Sequence, residues 1–148
     1  MFDFSDIKKY EKWRGAWENK ESMTLLEYIS FNIDPEDVLI IGSLFLPKFI
    51  EIDECILLAD NYEEGVYREL CLKFDNQSIE KEINCIHIYD VFANCTSNVE
   101  DAVFERVGKL LQGSWLNYLS AEFPSKQITV DYITNEKTYG PVLRIYQQ

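Results

Sequence analysis

His87 is the only histidine of the chain and the first residue whose type suits catalysis. It lies in residues 84–90, NCIHIYD. A Cys–His nucleophile needs a thiol within hydrogen-bond reach of the imidazole and a third group that orients the ring. Cys85 shares a face with His87 only in a strand, and Tyr89 or Asp90 would then orient the ring. Because no nucleophile signature such as GxSxG is present, the simpler interpretation is a half-buried histidine bonded to the backbone.

The spacing of the candidate metal ligands argues against a metal site. Zinc is typically held by three or four Cys and His residues at short spacings, whereas the four cysteines lie 10–16 residues apart with no CxxC. Residues 60–65 begin like a calcium loop, but Tyr62 and Cys71 occupy positions that need oxygen ligands. Glycine-rich phosphate loops are also missing. The sequence therefore predicts neither a metal nor a cofactor.

Carboxylates are the remaining candidates for acid–base chemistry. Glu51, Asp53 and Glu54 are close enough in sequence to act as a pair, as in glycoside hydrolysis. Acids on the outer face of a strand more often protect a sheet edge from aggregation. We therefore expect a solvated face here and assign no catalytic residue.

These acids belong to a larger acidic block. The chain has a net charge of −12, and residues 21–66 hold eleven acids against Lys48 alone. Such a surface repels phosphate, which excludes nucleic acid as a partner, and it speeds the capture of a basic protein. The simpler alternative is a surface that is only solvated. The predicted partner-binding residues are Glu51, Asp53, Glu54, Asp60, Glu63 and Glu64.

Length and composition predict one folded domain, residues 1–148. The chain is 47% apolar and 14% aromatic, which is enough for a core and excludes disorder. The longest apolar stretch, residues 38–49, is interrupted and too short to span a bilayer, which takes about 20 residues. The N-terminus lacks the pattern of a secretory leader, so we expect a cytoplasmic protein that does not enter a membrane. Its cysteines are expected to be free, and most of them to be small core residues.

The N-terminal third predicts helices. Tyr10, Trp13 and Trp17 recur at helical spacing and are expected to form a core stripe rather than a base-stacking platform. Thr24 begins a capping box, and Asp34 caps a helix whose first residue is Pro35. Residues 38–46 are apolar nearly all round, which predicts a buried helix.

The rest of the chain mixes strands and helices. Apolar and acidic residues alternate over residues 50–54, as in a strand, and the apolar run of residues 55–59 predicts a buried strand. The two segments form either one bent strand or a hairpin about residues 53–54. A helix is expected over residues 63–74, with Val66, Leu70 and Phe74 on one face. A second helix should begin after Ser78, and a third should run from the capping box at Ser97 to Ala121. Gly108 and Gly113 permit close packing or mark a kink there, and residues 85–92 remain ambiguous. Residues 128–133 and 142–146 predict a C-terminal hairpin.

This order of elements predicts an α+β fold: a small, mostly antiparallel sheet that includes the C-terminal hairpin, with helices packed on one face. Residues 46–58, LPKFIEIDECILL, resemble small uncharacterised bacterial proteins. In size, acidity and aromatic content the whole chain is similar to immunity proteins that neutralise bacterial toxins. That resemblance implies binding of a toxin, often a basic nuclease, through an acidic surface, and it assigns no individual residue.

Three functional hypotheses follow. The leading one is a non-enzymatic protein that binds a basic partner through the acids of residues 51–64. The second is an enzyme that uses His87 with a nearby cysteine or carboxylate. The third is a subunit of a larger complex, which predicts a contiguous exposed aromatic patch built from Phe2, Phe4 and Tyr10.

Overall fold

The computed structural model describes residues 6–95, 98–134 and 139–148. The chain divides into two compact units, Met1–Gly42 and Ser43–Gln148. The prediction that residues 1–148 form one domain stays a prediction. The fold class is α+β, as expected, with two small antiparallel sheets and the predicted C-terminal hairpin.

Helices build the first unit. Helix α1 spans Lys8–Gly15, α2 spans Leu25–Asn32, and α3 begins at Pro35 and ends at Phe45, within the second unit. The predicted starts are confirmed, because the Thr24 hydroxyl accepts the N–H of Glu27 and the Asp34 carboxylate accepts that of Glu36. Each cap satisfies a backbone donor that the first helical turn leaves unpaired.

An aromatic cluster joins α1 to α2. Tyr10 and Trp13 both contact Tyr28 edge to face, at centroid distances of 5.9 and 5.2 Å. Tyr10 is buried, and its hydroxyl donates to the Met23 carbonyl at 2.7 Å. Trp17 lies beyond the end of α1 and is 38% exposed. The predicted core stripe therefore holds for Tyr10, whereas its last member lies at the surface.

Helix α3 is not buried, contrary to the prediction. Leu39 and Ile40 are 76% and 68% exposed, and Val38 and Ile41 are each 51% exposed. The aromatic side chains of α1 and α2 pack mainly on each other, so these helices leave much of α3 uncovered. Only the last turn of α3 enters a core, where Leu44 and Phe45 pack within the second unit.

A β-hairpin opens the second unit. Strand β1, Phe49–Ile52, pairs antiparallel with β2, Cys55–Leu58, and Ile52 faces Cys55 across the turn. The turn residues Asp53 and Glu54 have φ of 47° and 71°. Positive φ at both central positions is what a two-residue type I′ turn requires, so the hairpin alternative is correct. All four residues of β2 are buried, as expected.

Two helices follow the hairpin, α4 at Glu64–Cys71 and α5 at Asn76–Ile83. The Asp75 carboxylate caps α5 by accepting the N–H of Ser78, so this helix begins before Ser78 rather than after it. The predicted α4 face is correct only at Leu70, which packs against the core together with the buried Tyr67. Val66 and Phe74 are 47% and 53% exposed. Tyr67 packs with Cys55 and the α5 isoleucines in a small core cluster.

The second sheet has the order β3-β5-β4, with antiparallel pairing throughout. Strand β3, Cys85–His87, and a one-turn helix α6, Ile88–Val91, resolve the ambiguous segment. Helix α7 spans Asp101–Glu122, and β4, Ile128–Ile133, pairs with β5, Val142–Gln147. The capping box predicted at Ser97, and residues 135–138 of the C-terminal turn, lie outside the described residues.

The larger core lies between α7 and the second sheet. Leu111, Trp115 and Leu119 recur at helical spacing and are completely buried against that sheet. Gly108 lies under the Tyr132 ring, where an added Cβ would come within 2.7 Å of the ring, whereas Gly113 faces open space. Close packing is therefore the role of Gly108 alone.

Candidate functional site

The hairpin presents three of the six predicted acids. Glu51 lies on β1, and Asp53 and Glu54 form the turn; all three are exposed. A Glu51 oxygen lies 3.1 Å from the Lys126 Nζ, and the Asp53 carboxylate accepts the Tyr67 hydroxyl at 3.3 Å. Burial raises the pKa of Tyr67, so this hydroxyl stays protonated and able to donate. Two of the three acids therefore already have partners within the molecule.

The other three acids lie beyond β2. Asp60 belongs to a short 3-10 helix, Ala59–Asn61, Glu63 occupies the N-cap position of α4, and Glu64 lies in its first turn. All three are exposed. Glu64 lies 3.6 Å from the guanidinium of Arg68, one turn along the helix. Acids at a helix N-terminus are favoured by the helix dipole, which explains why Glu63 and Glu64 lie there.

The six acids, called here the hairpin acids, form an extended surface rather than one cluster. Strand β2 separates Glu54 from Asp60, and four residues at about 3.3 Å each span about 13 Å. In keeping with this spread, the described part of the chain contains no group of three or more His, Cys, Asp or Glu residues that suits a metal ion. The arrangement suits contact with a large partner better than capture of a single ion.

Exposed apolar side chains lie close to these acids in sequence. Val66 follows Glu63 by three residues, so the two share a face of α4. Val66, Leu72 and Phe74 are 47%, 85% and 53% exposed. Protein interfaces commonly combine an apolar centre with a polar rim. Val66 beside Glu63 therefore offers both kinds of contact, whereas Leu72 and Phe74 follow the end of α4.

Two buried polar residues that no sequence motif indicated, Glu80 and Asn84, hold the hairpin in place. Both are fully buried, and they lie one turn apart on α5 and at its C-cap. The Glu80 carboxylate accepts the N–H of Ile56 in β2 at 2.7 Å and that of Gln147 in β5 at 2.6 Å. One α5 side chain thus satisfies backbone donors from both sheets, which would otherwise be left unpaired.

Asn84 makes a parallel set of hydrogen bonds. Its carbonyl oxygen accepts the N–H of Leu58 at 2.7 Å, and its amide donates to the carbonyls of Ile56 and Ile145 at 2.7 and 3.1 Å. Glu80 and Asn84 therefore take the place of strand pairing between β2 and β5. The available sequence signal was that each directly follows an isoleucine, Ile79 or Ile83, of the apolar face expected for this helix.

Among the residues that the structure describes, no group orients the His87 ring through Nδ1. His87 and Cys85 lie two apart on β3, as the enzyme hypothesis requires. Within the described residues, however, the buried Nδ1 of His87 has no hydrogen-bond partner. The Tyr89 hydroxyl donates to Asp101 instead, at 2.9 Å, and this bond raises the pKa of Tyr89. The geometry needed to activate a nucleophile is therefore not formed around Nδ1.

An open hollow of about 370 Å³ lies away from His87, between the hairpin turn, α5 and the C-terminus. Its lining is polar and includes Glu54, Asn76, Lys126 and Gln147. Small-molecule sites are usually enclosed and largely apolar. This hollow therefore gives little support to a small-molecule site.

The structure also tests two predictions about residues outside this region. Tyr10 is only 7% exposed, so it is wrong as a member of an exposed aromatic patch; Phe2 and Phe4 lie outside the described residues. All four cysteines are free, but only Cys55 is buried, and burial raises the pKa of its thiol. The expectation that most cysteines are core residues is therefore wrong.

Comparison of the chain with protein-family models, with curated proteins and with solved structures found no match. Among the described helices, none has both the length and the apolar character that crossing a bilayer requires. Inference about function therefore depends on the surfaces of this chain alone.

Proposed function

We propose that the protein is non-enzymatic and binds a basic protein partner through the hairpin acids. One observation carries this proposal: all six carboxylates are exposed, and residues 51–64 contain no Lys or Arg. In its most specific form, the protein is a cytoplasmic immunity protein and the partner is a bacterial toxin.

The hairpin acids are expected to contribute unequally. Glu51, Asp53 and Glu64 already contact Lys126, Tyr67 and Arg68, respectively. The described residues place no hydrogen-bond or ion-pair partner on the carboxylates of Glu54, Asp60 and Glu63. A basic partner would pair with these three without displacing an internal contact, so they are the preferred anchors.

Charge and apolar contact would have different effects on binding. Complementary charges mainly raise the association rate and set specificity, and their effect weakens as salt rises. Apolar side chains in the centre of an interface mainly slow dissociation. We therefore assign steering to the acids, and retention of the partner to Val66, Leu72 and Phe74.

The test begins with pull-down from the native host's lysate at low and high salt, and identification of the retained protein by mass spectrometry. Affinity for that protein is then measured with the triple variant Glu54→Gln, Asp60→Asn, Glu63→Gln. A matched control, Asp90→Asn, Glu105→Gln, Glu122→Gln, removes three exposed charges elsewhere.

Weaker binding and a smaller salt dependence in the first variant, but not in the control, would support the site. Equal affinity of both variants would overturn it. If the partner is toxic alone and this chain restores growth, the protein is an immunity protein. A lysate that yields no partner, while a small molecule copurifies with the chain, would contradict the binding function itself.

A further inference from the structure

The hollow between the hairpin turn, α5 and residues 147–148 is lined mainly by side-chain amides. These belong to Asn76, Gln77, Gln147 and Gln148. The amide of Asn76 donates to the Asp53 carbonyl at 3.4 Å, and that of Gln77 donates to the Gln147 carbonyl at 2.9 Å. The amide of Gln147 donates to the Glu54 carbonyl at 2.8 Å. Because a backbone carbonyl can only accept, these bonds fix which end of each amide is the donor.

Most of the side-chain acceptors of these residues remain unused. Within the described part of the chain, no hydrogen bond reaches the Asn76 Oδ1, the Gln147 Oε1 or the Glu54 carboxylate. Gln77 is the exception, since its Oε1 accepts from the Lys81 Nζ at 2.8 Å. The side chains that line the hollow have therefore spent their amide donors and kept acceptors. Such a lining fits a ligand that donates hydrogen bonds.

The charges of the lining residues favour a cation. Glu54 and Glu80 carry two negative charges, and Lys126 is the one cation among the residues that line the hollow. The Lys126 Nζ lies 3.1 Å from a Glu51 oxygen, so its charge is already paired. The Glu80 carboxylate is bonded to backbone donors on both sheets. Glu54 therefore supplies the negative charge that is free to meet a ligand.

Two positive features near the hollow would suit an anion instead. Helix α5 begins beside it, and a helix N-terminus carries partial positive charge, but the Asp75 carboxylate already accepts a backbone N–H there at 2.8 Å. Lys81 lies on the same helix, but its Nζ is bonded to Gln77 and lies 4.1 Å from the centre of the Tyr146 ring. Both features are thus engaged within the protein, whereas the Glu54 carboxylate is not.

We infer that the hollow receives an arginine side chain of the basic partner, with the guanidinium against the Glu54 carboxylate and the free oxygens of Asn76 and Gln147. A guanidinium has five N–H donors in one plane and no acceptor, so it suits several acceptors better than an ammonium does. A second copy of this chain is a poor donor, because two molecules of net charge −12 repel each other. The inference rests on the proposed function for the identity of the partner.

The chemistry of the hollow is tested without the partner, by titration of the isotope-labelled full chain with N-acetyl-arginine methylamide. The uncharged N-acetyl-citrulline methylamide and inorganic phosphate are titrated in parallel. We expect the arginine probe alone to shift the side-chain amide signals of Asn76, Gln147 and Gln148 in a saturable way. Glu54→Gln should weaken this binding about tenfold, as expected for the loss of a hydrogen bond to a charged group.

Two further variants locate the effect and give its sign. Lys126→Gln removes the cation from the lining and should tighten binding of the arginine probe, because repulsion falls. The same change would weaken binding of an anion. Glu63→Gln removes an exposed acid that does not line the hollow and should leave the affinity for the arginine probe unchanged.

Several outcomes would overturn the inference. These are the absence of a saturable shift with the arginine probe, equal binding of the citrulline probe, and shifts produced by phosphate. Equal weakening by Glu54→Gln and Glu63→Gln would assign binding to the acidic surface as a whole. A dimer that sedimentation equilibrium detects and the arginine probe dissociates would identify a second copy as the occupant.

Failure of this inference and failure of the proposed function give different results. A chain that captures a basic protein but does not bind the arginine probe would refute the arginine site and leave the proposed function standing. A chain that binds the probe in the hollow but captures no basic protein would refute the proposed function and support the arginine site.

Discussion

The Glu80 carboxylate accepts the backbone N–H of Gln147 at 2.6 Å, although 67 residues separate the two. Its other oxygen accepts the backbone N–H of Ile56 at 2.7 Å and the side-chain amide of Gln147 at 2.6 Å. A buried carboxylate is costly unless its oxygens are hydrogen-bonded. Here both oxygens are bonded, and they connect the hairpin that carries the acids to the central strand of the second sheet.

Replacing Glu80 by glutamine should destabilise the fold. Both carboxylate oxygens accept N–H donors, so either orientation of the new amide brings an NH2 group against another donor. We expect a loss of about 1–3 kcal/mol in the free energy of unfolding, measured by urea denaturation. Glu82→Gln, an exposed change on the same helix, should have little effect. Equal stability of the two variants would contradict this role of Glu80.

Gly108 and Gly113 should respond oppositely to alanine. In a helix interior alanine is favoured over glycine by about 1 kcal/mol, and Gly113→Ala meets no other atom within 4 Å. At Gly108 the new Cβ would come within 2.7 Å of the Tyr132 ring, and overpacking typically costs about 1–3 kcal/mol. We expect thermal unfolding to show that Gly113→Ala is stabilising and Gly108→Ala is not. A Gly108→Ala protein as stable as Gly113→Ala would show that the ring moves aside freely.

The stabilising effect of Asp75 should depend on pH. Hydrogen bonds from Ser78 hold the pKa of Asp75 below its ordinary value, so the folded state favours the ionised carboxylate. Its contribution is therefore fully present above the ordinary aspartate pKa, about 3.9, and is lost as pH falls through the lower folded-state pKa. Asp75→Ala should lower the melting temperature at neutral pH, and the deficit should shrink in acid. Glu82→Ala on the same helix serves as the control, and a deficit independent of pH would contradict the capping role.

Three of the four cysteines should react with a thiol reagent in a definite order. Cys71 and Cys95 are exposed, whereas Cys55 is fully buried and burial raises its pKa. Because the thiolate is the reactive form, the exposed pair should be labelled first and Cys55 only on unfolding. The variant Cys71→Ser, Cys95→Ser should lose the fast phase. Labelling of Cys55 in the native protein at the rate of the exposed thiols would contradict the buried position.

Local sequence determined the elements and their ends wherever one segment carried its own signal. The hydroxyl of Thr24 and the carboxylate of Asp34 cap the predicted helices, because a cap involves residues only two or three apart. The apolar run at β2 predicted burial correctly. The exposure of the hairpin acids was also predictable, since isolated charges are rarely buried.

Only the tertiary structure decided how these segments are joined and which surfaces remain open. The bonds of Glu80 to Ile56 and Gln147 link residues far apart in sequence, and no local pattern predicts which backbone donors will face a side chain. The contacts of Glu51 with Lys126 and of Asp53 with Tyr67 could not be predicted from the sequence for the same reason. The apolar pattern of α3 predicted a helix that favours burial, but the burial of a side chain depends on what other segments place around it. For that physical reason Leu39 lies exposed, although the sequence predicted a core position.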